Sequence, residues 1–309
     1  MTDATMTAAN LVCGTVTSTT GATTGLARLT IGIDLGDKHS HVCVLDAEGT
    51  IVEESRLQTK PAAFRQRFGG LPTARIAIEA GTHSPWANAL RREFGHEVLV
   101  ANPRKVRAIY DNDQKSDRVD AEQLARFARM DPKLLSPIVH RSMAARADLA
   151  VLRSRSALVD ARTQLINHVR GSVKPFGNRL PDSSTLTFAR KAAWKIPREL
   201  RPALVPVLRT IADLTARIVK FERRIEQLAA ERYPETTRLR KVDGVGAITS
   251  LTFVLTLEDP RRFAKSRAVG AFLGLRPGRS QSGKRDPEKH ITKAGDCDLR
   301  RLLQMQIGD

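Results

Sequence analysis

From Leu29 onward the spacing of apolar residues changes character along the chain, from a strand-like period of two, through a helical period, to a strict repeat of seven. Leu29–Leu35, His41–Leu45 and Thr50–Leu57 are rich in β-branched residues and read as a three-strand meander. Ala47-Glu48-Gly49 supplies one of its turns. Ala74–Ala80 and Glu97–Ala101 are short apolar runs that predict buried strands. Pro61–Phe68, Pro85–Phe94, Pro103–Tyr110 and Arg118–Met130 read as helices. Three strands followed by alternating helix and strand predict a mixed α/β sheet, in the order of an RNase H-like (RuvC-like) fold.

Beyond residue 141 the pattern is helical. Across 142–170, Leu149, Leu152, Val159, Ile166 and Val169 lie on one side, while Arg146/Arg153 and Arg155/Arg162, each pair one heptad apart, recur on other faces. Pro175, Gly177 and Pro181 break this helix. Leu204, Ile211, Ile218 and Ile225 then repeat every seven residues, with Val207, Leu214, Phe221 and Leu228 three later, which is a coiled-coil signature. A second copy of the chain or the preceding helix can satisfy that seam. Pro202 and Pro206 suit the start of the helix, and Tyr233-Pro234 ends it.

The final segment, 236–309, is mainly helical. Val242-Asp243-Gly244-Val245-Gly246 before Ala247–Leu257 resembles a helix-hairpin-helix, whose turn amides can hold a phosphate. Residues 1–28, rich in Thr, Ala and Gly without a period, read as a disordered tail. The expected division is therefore 1–28 tail, 29–140 catalytic α/β domain, 141–235 helical or coiled-coil region, and 236–309 C-terminal domain.

Charge sharpens this picture. Residues 1–140 hold 17 Lys plus Arg against 16 Asp plus Glu, whereas 141–309 hold 34 against 17, so +17 of the net +18 lies in the second part. Such an excess reads as a polyphosphate-binding surface. With 5% aromatic residues, base stacking is not expected to be the main grip on nucleic acid. The N-terminus lacks a secretory pattern, and no apolar run reaches eighteen residues. Cys13, Cys43 and Cys297 have neither disulfide nor zinc spacing, which suits a reducing cytosol.

The candidate chemistry lies in four acids. Asp34 ends the run LTIGID and Glu79 the run ARIAIE, so each sits where a buried strand runs out. Asp117 and Asp120 share one face of a first helical turn. Carboxylates delivered this way can converge on a hard divalent cation, which suggests Mg²⁺-dependent phosphodiester chemistry. His39 and His41 flank the second strand with Asp37 nearby, and read more simply as strand-turn histidines than as metal ligands; His83, beside Glu79, could help position the site.

These residues, in IGIDLGDKHSHVCVLD (31–46), IAIEA (76–80) and NPRKVRAIYDNDQKSDRVDAEQLA (102–125), resemble a known family. VDGVGAITSLTFVLTLEDPRRFAKSRAVGAFLGLRPGRSQSGKRD (242–286) and ITKAGDCDLRRLL (291–303) extend the match. The family is that of insertion-sequence transposases joining an N-terminal RuvC-like DEDD domain to a C-terminal serine-bearing domain, with the related Piv-type DNA invertases. The resemblance implies that Asp34, Glu79, Asp117 and Asp120 are metal ligands. It implies that Ser282, with Ser280 as the fallback, is the nucleophile, working near the cation and forming a phosphoserine link to DNA. Arg276, Arg279, Lys284 and Arg285 would neutralise the phosphate, and Lys115 and Lys293 would add nucleic-acid contacts. It further implies a structured guide RNA from the same element, a homo-oligomer built through the coiled coil, and a bacterial cytosolic, nucleoid-associated location. Family members usually continue some tens of residues past LRRLL, so a chain stopping at Asp309 is expected to be a short copy. Competing readings are a RuvC-like nuclease using water, an inactive nucleic-acid-binding remnant, and an ATPase of the actin and sugar-kinase class. The last lacks a second phosphate loop and an adenosine-binding Gly motif.

Overall fold

A computed structural model describes residues 29–89, 93–106, 116–279, 281 and 287–305; the expected tail, 1–28, lies outside them. The chain divides into two compact units, one ending at His140 and the other beginning at Arg141.

The first unit is built on five strands: β1 (Thr30–Leu35), β2 (His39–Leu45), β3 (Ile51–Gln58), β4 (Arg75–Glu79) and β5 (Glu97–Ala101). Their order across the sheet is β3-β2-β1-β4-β5. β1, β2 and β3 are antiparallel neighbours, while β1, β4 and β5 run parallel. The β2–β3 turn is local chemistry. Asp46 Oδ1 accepts from the amides of Glu48 (3.0 Å) and Thr50 (2.8 Å), and Gly49 takes the left-handed φ of 88° that the turn requires. β4 and β5 are connected by crossovers and apolar on both faces, as strands covered on two sides must be.

Alternation sorts the side chains. Ile31, Ile33, Ile76, Ile78, Val98 and Val100 face helix α1 (Pro61–Phe68), where Phe64 and Phe68 are wholly buried. Each such side chain contributes roughly 1.5–3 kcal/mol of hydrophobic stabilisation. The other face receives a later helix, described below. The expected helix Pro85–Phe94 is seen as the single turn α2 (Ser84–Ala87), with residues 90–92 outside the described set. Of Pro103–Tyr110, α3 (Pro103–Val106) is described and 107–110 are not.

In the second unit the helices α5 (Met143–Val173) and α7 (Arg201–Arg232) form an antiparallel pair, with α6 (Phe188–Ala193) covering one end. Ile166, Val169 and Val173 meet Leu204, Leu208 and Ile211 there. At the other end Ala145, Leu149 and Leu152 meet Ile225, Leu228 and Ala229, and α9 (Ala247–Leu257) completes this core through Ala247, Leu251 and Leu255. Residues on both sides of 235 thus share one apolar cluster. Leu204, Ile211, Ile218 and Ile225 are all buried, as the seven-residue repeat predicts, but Val207, Leu214 and Phe221 are only half-buried. Leu228, the fourth of that row, is buried as expected; elsewhere the buried partners are Leu208 and Thr215, four residues on, and Ala229 joins Leu228. Two of the four arginines expected to face outward along α5 turn in: Arg162 is buried beside Thr215, and Arg155 pairs with Glu222.

A short helix, α8 (Thr236–Leu239), and a turn through Gly244 (φ 79°) lead into α9, where the sequence resembles a helix-hairpin-helix. The remaining elements are α10 (Arg267–Phe272) and α11 (Cys297–Met305).

Candidate active site

The register Ile33↔Ile78 between parallel strands β1 and β4 stops one residue short of Asp34 and Glu79, so both acids emerge at the same carboxyl edge of the sheet. Alternation puts them on the face shared by Gly32 and Ala77. That face is covered by α4 (Asp117–Met130), whose Ala121, Leu124, Ala125 and Ala128 are buried against the sheet.

The close fit of α4 rests on an absent side chain. A Cβ on Gly32 would stand 1.9 Å from the Ala121 carbonyl oxygen and 2.5 Å from the Ala125 amide nitrogen. Glycine alone lets helix and strand approach this far. Outer contacts fix the helix direction. Arg118 Nη1 donates to both carboxylate oxygens of Glu54 at 3.0 and 2.9 Å. At the far end Arg129 donates to the Ala47 carbonyl and Arg75 Nη1 to that of Ala128. α4 therefore runs antiparallel to β1, with its first turn beside the strand's carboxyl end.

That first turn begins at Ser116, whose hydroxyl accepts from the Val119 amide at 3.3 Å. Asp117 and Asp120 follow where the helix dipole favours negative charge. Asp117 is exposed; Asp120, Asp34 and Glu79 are half-buried. His41 is the cross-strand neighbour of Asp34, and its Nε2 lies 3.9 Å from Asp117 Oδ2.

Asp34 registers all of these groups. Its pKa is raised from 3.8 to about 6, first by burial and then by Asp117, Asp120 and Glu79; His41 opposes the shift. The four carboxyl groups thus act on one another across a single edge. They are not closed onto a common point: among the described residues no three His, Cys, Asp or Glu side chains are gathered tightly enough to hold an ion as they stand. The donor set nevertheless fits a hard dication. It is all oxygen, and one member is held uncharged to higher pH by burial and then by a repulsion that a cation would cancel.

A second arrangement on this edge was not legible as a unit. His83, four residues past Glu79, places Nε2 3.5 Å from Asp37 Oδ1, and its Nδ1 accepts from Trp86 Nε1 at 3.2 Å. Trp86 therefore fixes the tautomer, leaving the proton on Nε2. The indole stands edge-on to Phe64, 4.9 Å between centroids.

In the second unit, Arg276, Arg279 and Lys293 are exposed around a short ribbon. Pro277 bridges Ile291, the Gly278 amide donates to His290 O (3.0 Å), and the Thr292 amide donates to Arg276 O (2.9 Å). A Cβ on Gly274 would lie 2.3 Å from the Ala294 nitrogen, so the segments GLRPG and ITKAG close on each other at glycine. This pins the chain at Gly278 and again at His290. Ser280, Ser282, Lys284 and Arg285, and Lys115 in the first unit, lie outside the described residues. Arg279 Nη2 donates to Gln281 Oε1 at 2.8 Å. Asp296 caps the start of α11 through the amides of Asp298 and Leu299, both at 3.1 Å, and pairs with Arg141 and Arg153.

Comparison with known proteins bears on both units. Residues 31–176 match a DEDD-type domain model described as Transposase, and residues 236–307 one described as Transposase IS116/IS110/IS902 family. A probable family 20 transposase of Pseudomonas aeruginosa is 33% identical over 281 residues, covering 88% of this chain and 81% of its own. The transposases for insertion sequence elements IS1328 of Yersinia enterocolitica and IS1111A of Coxiella burnetii are 28% and 26% identical. Each similarity covers 88% of this chain, and 81% and 75% of theirs.

Proposed function

The chain belongs to the IS116/IS110/IS902 family of insertion-sequence transposases, enzymes that cut and recombine DNA, and from that premise we propose how its residues divide the chemistry. Asp34, Glu79, Asp117 and Asp120 hold Mg²⁺, and Ser282 is the nucleophile. The observation that carries the first assignment is the seating of α4 on Gly32, which brings the Asp117–Asp120 turn to the strand edge bearing Asp34 and Glu79. The strand order β3-β2-β1-β4-β5, with acids at the ends of β1 and β4, supports a RuvC-like reading of this unit.

In this account a Mg²⁺ bound there would neutralise the phosphate and favour the ionised hydroxyl. Glu79 and Asp34 present rigid, strand-mounted oxygens, while Asp117 and Asp120 approach from the helix. Ser282 Oγ attacks phosphorus, loses its proton, and displaces one deoxyribose oxygen as a free hydroxyl end. One phosphoester is exchanged for another, so rejoining needs no outside energy. Arg276 and Arg279, exposed at the base of the loop, offset charge on the phosphate together with Lys284 and Arg285; Lys115 and Lys293 add backbone contacts. The half-buried pair Leu214 and Phe221 is available to a second copy, which supports a homo-oligomer built through α7. The resemblance drawn from the sequence motifs extends the proposal to guidance by a structured RNA, tested by loss of recombination after ribonuclease treatment.

Trapping the protein on a nicked or phosphorothiolate DNA substrate tests the nucleophile. A covalent adduct is expected from the unaltered chain and from Ser280→Ala, and none from Ser282→Ala. Cleavage without any adduct would instead favour a nuclease that uses water.

A further inference from the structure

The closed end of the α5–α7 helical pair, residues 170–201, carries eight Lys and Arg residues against two acids. Elsewhere in this unit several arginines are held in internal ion pairs: Arg155 with Glu222, Arg232 with Asp148, Arg240 with Glu226, Arg141 and Arg153 with Asp296. The closed end has no such pairing: Arg170 lies over the Phe188 ring, 5.4 Å from its centroid, and among the described residues none of the eight is ion-paired. Unpaired cations at this density cost self-repulsion, which an external polyanion would relieve.

Large apolar side chains stand among these cations. Trp194, one of two tryptophans, is 83% exposed at the end of α6; Leu186 is 65% exposed and Phe176 49%. Their backbone is firmly seated, because Phe188, Ala192 and Ile196 beside Trp194 are buried against α7. An open cleft of about 540 Å³ lies next to Phe176 in the chain, lined by Arg170, Lys174, Asn178, Arg179 and Leu180, with one acid, Asp182. The more exposed of the chain's two tryptophans thus stands at a basic surface, whereas Trp86 is half-buried in the first unit.

We infer that this end of the helical pair binds single-stranded DNA, with phosphates on the unpaired cations and a base stacked on Trp194. Cations alone would serve duplex equally well, but a duplex hides its base faces, and an indole held out in water needs a flat apolar partner. A second copy of the chain is disfavoured as the occupant, since two such ends would bring an excess of six positive charges against six. Cutting and recombining DNA exposes unpaired strands, so the ligand arises from the family's own reaction. The surface is independent of the carboxylate site, and a binding readout separates the two.

The test is fluorescence anisotropy on the full chain with one labelled sequence of about 20 nucleotides, presented as single-stranded DNA, as duplex and as RNA. Trp194→Ala is expected to weaken single-stranded DNA binding about tenfold while changing duplex binding less than twofold, and Trp194→Phe to restore most of the loss. Lys191→Gln with Lys195→Gln should weaken both DNA forms and flatten the salt dependence. The inference is overturned by an unchanged Trp194→Ala affinity, by equal losses on duplex, by a Trp194-dependent preference for RNA, or by a drop in oligomer mass in Trp194→Ala protein without nucleic acid.

Discussion

Asp34 is the residue on which burial and repulsion meet. A carboxyl whose pKa rises to about 6 on folding binds more protons in the folded than in the unfolded chain between about pH 4 and 6. Stability of the metal-free protein therefore falls as pH rises through that window. Asp34→Asn removes the penalty. Thermal unfolding without divalent ions should show the variant more stable at pH 7.5, by about 1–2 kcal/mol once solvent screening is allowed for, and equal at pH 3.5. A variant less stable at both pH values would contradict that reading. Gly32 is the complementary case. Gly32→Ala drives a methyl into the backbone of α4, and denaturant melts should report a loss of at least about 1–3 kcal/mol. Asp34 and Glu79 stood out because each ends an apolar run, and Asp117 and Asp120 because they open a helix, but Gly32 did not. A glycine in a strand signals a close approach without naming what approaches.

Among the elements, strands were read almost to their ends, since β-branched runs bounded by turn residues leave few alternatives. α7 shows where pattern reading stops. Its repeat of seven found the buried row and Leu228, yet after Leu204 and Ile211 the second buried position lies four residues on rather than three, the latter at Thr215. That hydroxyl donates to Ile211 O at 2.8 Å, so a polar residue is buried at little cost and escapes an apolar count. Asp148 hides for a similar reason, accepting from Arg232 (2.9 Å) and Tyr233 (2.6 Å). The two rows of α7 should respond differently to substitution. Ile211→Ala, in the intramolecular core, is expected to cost about 2–4 kcal/mol in denaturant melts. Leu214→Ser with Phe221→Ser should cost less than that and lower the oligomer mass measured by light scattering. An unaltered mass would remove α7 as the subunit contact.

At the scale of the whole molecule, charge follows the two-unit division. The near-neutral first unit presents acids at a sheet edge, and the second carries almost all the excess positive charge. Composition foretold that contrast, but not where the excess is free to act. Ion pairing along the α5–α7 pair consumes many of the arginines, and only the folded arrangement separates the spent cations from the available ones. The pinning of GLRPG against ITKAG likewise joins motifs whose contact no local pattern reveals. Titration calorimetry of Mg²⁺ into the full chain bound to DNA tests the central claim most directly. The account predicts saturable binding that is lost in each of Asp34→Asn, Glu79→Gln, Asp117→Asn and Asp120→Asn, with DNA affinity retained. Mg²⁺ binding left intact in any two of these variants would contradict a single site shared by the four acids.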